Sequence, residues 1–337
     1  MFRRILAAAA ILLTCAVALV SVWPQLFGFQ RLPIAAQVVS LRGVAIAVGL
    51  FLLLALFFVA AAIPAFRRFC AALGIVGIVF IVTSAIVLTT RGVGDNSFQR
   101  KAEADVTVLS WNTLGDVPGA EAIAKLALEV DADIVALPET TSETAIEVAR
   151  LMRAGGHPMW AHTFSYDRIS KARSTSLLTS VALGDYVVDT DHRTTNVLPS
   201  VIATPADGTG PTIIAVHAVA PIPSELNHWK LDLSWLMRAC AGDNVIMAGD
   251  FNSTIDHFAG LATTDGATIG TCVDAASVSG NAAVGTWPTM LPPILGAPID
   301  HVMATPGWHV TGMRVIATLD DAGSDHRPIV VQLSPRG

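Results

Sequence analysis

The stretch Val245-Ile246-Met247-Ala248-Gly249-Asp250-Phe251-Asn252 is the starting point for the fold. A short apolar run, typical of a buried strand, stops at a glycine and then presents a carboxylate and a carboxamide. On an extended backbone, residues i and i+2 share a face, so Asp250 and Asn252 are expected to point together beyond the strand's end. A polar turn is the competing interpretation, because Asp and Asn are ordinary turn residues.

Three further stretches repeat this pattern of an apolar, β-rich run that stops at a polar residue. They are Val108-Leu-Ser-Trp-Asn112, Ile134-Val-Ala-Leu-Pro-Glu139 and Ile213-Ile-Ala-Val-His217. A fourth group, Ile299-Asp300 with Ser324-Asp325-His326, lies further along the chain. Several strands that end in polar side chains favour one shared site over a set of unrelated turns.

In type and order these residues resemble the endonuclease/exonuclease/phosphatase superfamily, which includes deoxyribonuclease I-like nucleases, apurinic endonucleases, neutral sphingomyelinases and inositol polyphosphate 5-phosphatases. The resemblance spans about residues 105–335 and rests on Gly-Asp-Phe-Asn, on Ser-Asp-His-Arg-Pro, and on Asn112, Glu139, His217 and Asp300 in the expected order. It implies an α/β fold, a four-layer sandwich of two facing β-sheets flanked by helices, with the site residues on loops at one end.

The composition is too apolar for an ordinary globular protein, since 53% of the 337 residues are hydrophobic and only 14% are charged. The excess lies in three uncharged runs at 5–23, 44–63 and 71–88, each near the ~20 residues that span a bilayer. Nothing polar is available to cover these runs inside a soluble domain. We therefore expect three transmembrane helices in a membrane domain of residues 1–90, a linker at 91–104, and a catalytic domain at 105–337.

The basic residues predict the orientation in the membrane. Arginines at 3–4 precede the first span and arginines at 67–68 lie between the second and third, which places both segments in the cytoplasm. Arg31 and Arg42 in the first loop weaken this contrast. A cleavable signal peptide is the alternative interpretation of the first run. Both interpretations deliver the catalytic domain to the extracytoplasmic side of the plasma membrane.

Charge is distributed unevenly and bears on the substrate. Up to residue 104 there are nine Lys or Arg against two Asp or Glu, whereas the remainder has twelve against twenty-five. An acidic domain repels polyanions unless a metal or a local patch intervenes, so no stable nucleic-acid partner is expected. The basic run from Arg168 to Arg173 is a candidate contact for a phosphate group, with Arg173 as its substrate-binding residue. A solvated loop is the alternative.

Phosphoester hydrolysis needs a divalent cation, an activated water and donors for the phosphate oxygens. Glu139 is the first choice as ligand, because a hard Mg²⁺ ion, or Mn²⁺, prefers carboxylate oxygen. Asn112 would assist the cation or hold the phosphate. The structural alternatives are that Glu139 caps the following helix and that Asn112 closes a turn. By resemblance, Asp325 also reaches a metal.

The remaining catalytic candidates divide the chemistry among them. Asp250 is expected to position the attacking water, and Asn252 to donate to a phosphate oxygen. Asp300 and His326 form a predicted pair in which the carboxylate fixes the imidazole tautomer and favours its cation. His217 matches a histidine that serves near the scissile phosphate in the deoxyribonuclease and sphingomyelinase branches of the superfamily and is lacking in apurinic endonucleases.

Four further residues carry open alternatives. Trp287, on a proline-rich loop before Asp300, either walls the pocket, contacts lipid or serves only packing. Cys240 and Cys272 either form a disulfide in an oxidising compartment or remain separate thiols. His257 lies in polar or irregular sequence surroundings, where a histidine is expected at the surface more often than as a ligand.

The leading functional hypothesis is a membrane-anchored, metal-dependent phosphoric ester hydrolase that acts on a phosphate mono- or diester linked to a lipid. The three spans favour such a membrane-proximal substrate, because the superfamily core defines the reaction class rather than the molecule. The alternative is a membrane-tethered nuclease acting on extracellular DNA or RNA. That reading requires a basic or aromatic track, and the sequence offers only the run that ends at Arg173.

Overall fold

The computed structural model describes residues 1–167, 169–189 and 194–336. The α-helices in these ranges are α1 Phe2–Val22, α2 Ala35–Ser40, α3 Arg42–Ala62, α4 Arg67–Arg91, α5 Gly119–Glu129, α6 Ser142–Ala154, α7 Leu226–Ala239 and α8 Ala275–Ser279. The strands are β1 Val106–Ser110, β2 Ile134–Pro138, β3 Met159–Ser165, β4 Ser174–Ser180, β5 Tyr186–Val188, β6 Val201–Pro205, β7 Thr212–His217, β8 Val245–Asp250, β9 Val273–Asp274, β10 Asp300–Ala304, β11 Trp308–Val315 and β12 Ile329–Pro335.

Two six-stranded sheets form the centre of the catalytic domain. Their strand orders are β11-β12-β1-β2-β4-β3 and β5-β6-β7-β8-β10-β9. The sheets pack face to face, and helices cover their outer surfaces: α5 and α6 lie against the first sheet and α7 against the second. The predicted four-layer α/β sandwich is confirmed.

The strand β8 shows why its sequence is an unbroken apolar run. Ile246 and Ala248 point into the core between the two sheets, whereas Val245 and Met247 pack on the other face beneath α7. A strand buried on both faces has no solvent side and therefore no alternation of polar residues. Gly249 is required near its end, because a Cβ there would lie 2.0 Å from the carbonyl oxygen of Val216 on β7.

The three long N-terminal helices are apolar enough to cross a membrane. They are Phe2–Val22, Arg42–Ala62 and Pro64–Arg91, and almost none of their length is buried within the protein. Their exposed Leu, Ile, Val and Phe side chains form the apolar outer surface that suits a helix in a bilayer. The turn between the second and third helices contains Pro64, which lacks a backbone donor and begins a new helical segment.

The segment between α1 and α3 is docked on the catalytic domain. Arg42 and Arg91, at the ends of α3 and α4, both form ion pairs with the buried carboxylate of Asp256, at 2.9 and 2.7 Å. Arg31 donates to the carbonyl of His257 at 2.7 Å, and the ring of His257 contacts the carbonyl of Ala36 at 3.1 Å. The membrane segment and the catalytic domain thus share a polar, buried interface.

Residues 92–104 also follow the surface of the catalytic domain. The backbone of Gln99 donates to the carbonyl of Thr311 at 2.9 Å, and Phe98 packs on Gly312 in an isolated bridge. Lys101 pairs with Asp131 and Asp133 at 2.8 and 3.0 Å. The segment 92–104, which connects the membrane helices to the catalytic domain, is therefore packed on the surface of that domain.

The fold resolves the two alternatives for Cys240 and Cys272 and corrects the expectation for His257. Cys240 and Cys272 are joined by a disulfide, which closes a segment of 32 residues. His257 is wholly buried, so the expectation that it lies at the surface was wrong. The surface expectation failed because the partner of His257 is a carbonyl of the membrane segment, more than two hundred residues away in sequence.

Candidate active site

The register of the second sheet brings three polar residues together at one edge. His217 on β7 lies opposite Asp250 on β8 in the parallel pair, and Asp300 on β10 lies opposite Asp250 in the antiparallel pair. All three side chains are buried. The apolar runs end at this edge, so the strands deliver a row of ionisable groups to the end of the sandwich.

Asn112 links this row to the first sheet. It follows β1, and its Nδ2 lies 3.2 Å from Oε1 of Glu139 and 3.1 Å from Oδ2 of Asp250. Its Oδ1 accepts a hydrogen bond from the backbone N–H of Leu114 at 3.0 Å. Asn112 therefore donates to both carboxylates through its amide nitrogen, an orientation that suits a positioning residue better than a direct metal ligand.

Glu139 follows β2 and faces the cluster. Its backbone has a φ of 57°, which is unusual for a residue with a large side chain and turns the carboxylate away from the strand direction. Burial raises the pKa of Glu139, and the hydrogen bond from Asn112 opposes that rise. Glu139 does not cap the next helix, because Thr141 is the N-cap of α6 and accepts from the N–H of Thr144.

His326 and Asp300 form the predicted oriented pair. The Nδ1 atom of His326 lies 2.8 Å from Oδ2 of Asp300, and its Nε2 lies 3.7 Å from Oδ2 of Asp250. Burial alone would lower the pKa of His326, but the charges of Asp300 and Asp250 outweigh it and raise the pKa to about 10. The imidazole is thus a cation at neutral pH. Trp111 fixes the backbone of His326 by donating to its carbonyl at 2.9 Å.

His217 lies in the same cluster but is neutral, whereas His326 is a cation. Its Nε2 is 3.8 Å from Oε1 of Glu139, and its Nδ1 is 3.4 Å from the hydroxyl of Thr175. Burial, together with the neighbouring positive charge of His326, lowers the pKa of His217 to about 3. A neutral imidazole at this position offers one N–H donor and cannot act as a cationic acid at neutral pH.

Asp250 is the central group of the cluster. Its Oδ1 accepts from the backbone N–H of Asn252 at 2.8 Å. Burial raises the pKa of Asp250 to about 7, against the opposing effect of the His326 charge. A carboxylate with a pKa near neutrality is matched to taking a proton from water.

Asn252 lies close to Asp250, as expected, but for a different reason. β8 ends at Asp250, and Asn252 adopts a φ of 45°, so the two side chains meet through a turn and not through strand alternation. The Nδ2 of Asn252 donates to Oδ2 of Asp250 at 3.1 Å and to the carbonyl of Ala218 at 2.9 Å. Asn is among the residues that tolerate this left-handed conformation best.

Trp287 and Asp325 complete one side of the cluster. The indole N–H of Trp287 donates to Oδ2 of Asp325 at 2.9 Å. The other oxygen of Asp325 is buried without a hydrogen-bond partner in the described part of the chain. Asp325 also lies near enough to raise the pKa of Glu139 by charge repulsion. Trp287 therefore orients a carboxylate of the site.

The basic run lies apart from these contacts. Arg173 is paired with Asp167 at 2.9 Å, and Lys171 is paired with Asp116 at 3.2 Å. Arg168 lies outside the described residues. The charges of Lys171 and Arg173 are thus already matched by carboxylates.

The donor set fits a divalent cation. Four carboxylates, those of Glu139, Asp250, Asp300 and Asp325, surround one imidazolium, that of His326, so the cluster carries an excess of negative charge. One oxygen each of Asp300 and Asp325 is buried without a partner among the described residues. Ligand atoms of Asp250, Asp300 and His326 lie within 4.8 Å of one another. Because His326 already holds a proton against Asp300, the Glu139 side of the cluster is the better place for a cation.

Several residues that support the site were not predicted. Ser324 donates to the carbonyl of Asn112 at 2.6 Å and accepts from the N–H of His326 at 3.1 Å. Thr286 accepts from the N–H of Asp300 at 3.2 Å. Buried hydroxyls that bond to backbone leave no distinctive spacing in a sequence, although Ser324 belongs to the Ser-Asp-His-Arg-Pro motif already noted.

A four-layer α/β sandwich with an acidic and histidine-rich cluster at one end of its sheets defines a class of phosphoesterases and nucleases. The family model described as Endonuclease/Exonuclease/phosphatase family matches residues 109–326, and the chain belongs to this family. Enzymes of the family are typically hydrolases that use divalent metals. The cluster described above has the acidic and imidazole groups of a possible metal site.

Solved structures show the same fold. An endonuclease/exonuclease/phosphatase from Bacteroides vulgatus is 16% identical with a TM-score of 0.50, and the match covers 69% of this chain and 100% of that one. The human Nocturnin catalytic domain with bound sulfate is 16% identical with a TM-score of 0.51, over 72% and 97% of the two chains. A family protein from Leptotrichia buccalis is 14% identical with a TM-score of 0.51, over 68% and 99%. No curated protein matches the sequence.

Proposed function

We propose that this chain is a membrane-anchored, divalent-cation-dependent phosphoesterase that hydrolyses a lipid-linked phosphate mono- or diester on the extracytoplasmic side of the plasma membrane. The observation that carries this proposal is the convergence of Asn112, Glu139, Asp250 and His326 from both sheets, within 3.7 Å from one to the next. Carboxylates, a carboxamide and an imidazolium are the groups that phosphoester hydrolysis needs.

Glu139, with Asp325 beside it, would hold Mg²⁺ or Mn²⁺, and Asn112 would position the Glu139 carboxylate. The bound cation would neutralise charge on the phosphate and orient it. Asp250 positions the attacking water and takes its proton, a role that suits a carboxyl whose pKa burial has raised. Asn112 keeps Asp250 and Glu139 at a fixed separation.

The two histidines stabilise the phosphate from their different charge states. Asp300 orients His326 and keeps it protonated, so its imidazolium faces the charge that develops as the bond to the leaving oxygen breaks. The neutral His217 donates an N–H to a phosphate oxygen. Asn252 lies at the same edge, where its amide is oriented by Ala218 and Asp250.

The positions of the arginines in the membrane segment support the extracytoplasmic location. Residues 3–4 and 67–68 carry pairs of arginines at the helix ends that face away from the catalytic domain. On the catalytic side, Arg42 and Arg91 share the single carboxylate of Asp256. The positive-inside rule assigns the side that carries these two arginine pairs to the cytoplasm, and the catalytic domain lies at the other ends of the same helices.

The nuclease alternative has less support. A polyanion needs a basic or aromatic track, and the basic run of the sequence is occupied by ion pairs to Asp116 and Asp167. The site also lies beside apolar membrane helices, where a lipid-linked phosphate is held by its own anchor.

A substrate panel tests the proposal. The full chain in lipid nanodiscs is assayed with 4-nitrophenyl methyl phosphate, 4-nitrophenyl phosphate, plasmid DNA and phospholipid vesicles, before and after EDTA and after Mg²⁺ is restored. We expect cation-dependent release of nitrophenol or lipid phosphate, and loss of at least a hundredfold in Asp250→Asn. Cleavage of DNA with every other substrate untouched would replace this proposal by the nuclease.

A further inference from the structure

An apolar cavity of about 630 Å³ lies between the membrane segment and the catalytic domain. One wall is formed by Ile34, Val38 and Leu41 of the segment that joins α1 to α3. The opposite wall contains Ile222 and Leu226, which precede and begin α7. Its size is within the range of ~300–1,000 Å³ that small-molecule sites occupy.

The cavity adjoins the candidate active site. Asn252 and Trp287 line its polar end, and these residues contact Asp250 and Asp325 at 3.1 and 2.9 Å. A molecule that fills the cavity therefore ends within one side chain of the carboxylate cluster. An apolar body with a phosphate at one end has the matching polarity.

A second apolar cavity, of about 510 Å³, lies among the membrane helices α1, α3 and α4. It shares Gln37, Val38 and Leu41 with the first cavity, so the two adjoin along α2 and its C-terminal end. Together they form an apolar path from the helices that the bilayer surrounds to the edge of the catalytic site.

The wall contributed by the membrane segment is held in place by polar contacts to the catalytic domain. Arg42 and Arg91 pair with Asp256, Gln37 donates to the carbonyl of Pro221, and the ring of His257 contacts Ala36. The cavity is thus a feature of a docked interface. It lies between two parts of one chain, a place that suits a ligand better than a second protein surface.

We infer that the two cavities bind the hydrocarbon chain of the lipid phosphoester substrate, which enters sideways from the outer leaflet with its phosphate directed to Glu139 and Asp250. This inference rests on the proposed phosphoester hydrolysis. It adds that the membrane segment is part of the substrate site as well as an anchor, and that recognition depends on the apolar chain.

Chain length is the variable that tests the inference. The full chain in nanodiscs is assayed with 4-nitrophenyl alkyl phosphates from methyl to dodecyl, which share one leaving group. Each methylene that enters the cavity should raise kcat/KM by about fourfold, up to the length that fills it. Val38→Trp and Ile222→Trp fill the cavity from opposite walls, and each should lower the ratio of dodecyl to methyl kcat/KM at least tenfold.

Matched controls separate the cavity from general effects of added bulk. Leu12→Trp lies on α1 and Ile146→Trp on α6, both at exposed positions that line neither cavity. Neither control should change the ratio of dodecyl to methyl kcat/KM. A ratio near one in the unmodified chain, or an equal fall of the ratio in all four variants, would overturn the inference.

A binding readout keeps the inference distinct from the proposed hydrolysis. A dodecyl phosphonate with a diazirine at its chain end, which cannot be hydrolysed, is irradiated with the full chain and mapped by mass spectrometry. We expect labels within residues 33–53 and 220–226, displaced by excess dodecyl phosphonate but not by methyl phosphonate. If the probe labels these positions but none of the nitrophenyl phosphates is hydrolysed, the proposed hydrolysis is disproved and the lipid-binding cavity stands. If the nitrophenyl phosphates are hydrolysed but the probe does not label these positions, the lipid-binding cavity is disproved and the hydrolysis stands.

Discussion

Asp250 lies at the point where β7 and β8 end and β10 begins, and that position accounts for its electrostatic environment. The sheet places His217 on one side and Asp300 on the other, while the opposite sheet contributes Asn112 and Glu139. Burial penalises the charge of Asp250 and raises its pKa, and His326 limits that rise. The result is a cluster in which one imidazole is charged, one is neutral and one carboxyl titrates near neutrality.

Asp300→Asn should reduce kcat/KM by about 10²–10⁴-fold, because His326 loses both its orientation and the charge that keeps it protonated. Asp274→Asn is a matched control. Asp274 and His301 form a second buried pair at 3.0 Å, on the opposite face of β10. Steady-state kinetics on 4-nitrophenyl methyl phosphate measure both variants, corrected for folded fraction by size-exclusion chromatography. A loss in Asp274→Asn as large as in Asp300→Asn would refute the catalytic assignment.

The acidic limb of the pH–rate profile should move to lower pH as Mg²⁺ is raised. The pKa of Asp250 is about 7 without a cation, because burial disfavours the carboxylate. Only the ionised form accepts a proton from water, so activity rises with pH through this region. A bound cation stabilises the carboxylates and lowers the pKa. Initial rates between pH 5 and 9 at several Mg²⁺ concentrations test this, and a limb that stays fixed would exclude Asp250 as the titrating group.

At the scale of elements, the strand ends were predictable and the support behind them was not. Apolar runs that stop at Asn112, Glu139, His217 and Asp250 reveal the strands because each is buried on both faces and so lacks polar alternation. The strands β3, β5 and β9 are partly exposed or very short, and they carry no such signal. The pairing of Arg42 with Asp256 spans 214 residues, and sequence spacing holds no information about a contact of that separation.

Asp256→Asn should undock the membrane segment. The variant leaves two arginines beside a buried neutral amide, and the loss of a partner from a buried ion pair costs about 3–5 kcal/mol. Thermal unfolding in nanodiscs and proteolysis of residues 24–41 measure the effect. Asp265→Asn, at an exposed loop position, is the control. Unchanged protection of residues 24–41 in Asp256→Asn would show that apolar packing alone holds the interface.

The same interface should weaken in acid. Burial alone would raise the pKa of Asp256, but Arg91 and Arg42 hold it below its usual range. Burial lowers the pKa of His257 to about 4. Both groups have a higher pKa in the unfolded chain than in the folded protein, so the unfolded chain binds a proton more readily as pH falls. The free energy of unfolding therefore decreases below about pH 6.5 because of His257 and below about pH 4 because of Asp256. Thermal midpoints between pH 7.5 and 4 should decline, and less steeply in His257→Gln. A midpoint independent of pH over this range would contradict the assignment.

For the whole molecule, the membrane segment and the catalytic domain form one docked unit. Three apolar helices were predictable from composition, and the main strand ends from apolar runs, because both signals are carried within short stretches. The four-layer sandwich was implied by the family resemblance that those strand ends carry. Their interface was not predictable, since it depends on Arg31, Arg42 and Arg91 meeting backbone and carboxylate groups of a distant loop. The interface also creates the apolar cavity beside Asn252, so a domain expressed from residue 105 lacks one wall of that cavity.

The orientation of this unit has a direct test. Single cysteines are placed at Ile169, an exposed loop position of the catalytic domain, and at Ala65, in the turn between α3 and α4. The background carries Cys15→Ser and Cys70→Ser, and Cys240 and Cys272 remain in their disulfide. In intact cells a membrane-impermeant maleimide should label Ile169→Cys fully and leave Ala65→Cys unlabelled until the cells are lysed. The helix α3 separates Ala65 from the α1–α3 connection, and the helix α4 separates it from the catalytic domain. Because the connection contacts the catalytic domain, both lie on the side of the membrane opposite Ala65. Labelling at Ala65 and not at Ile169 would place the catalytic domain in the cytoplasm and reverse the assigned side, while leaving the chemistry of the cluster intact.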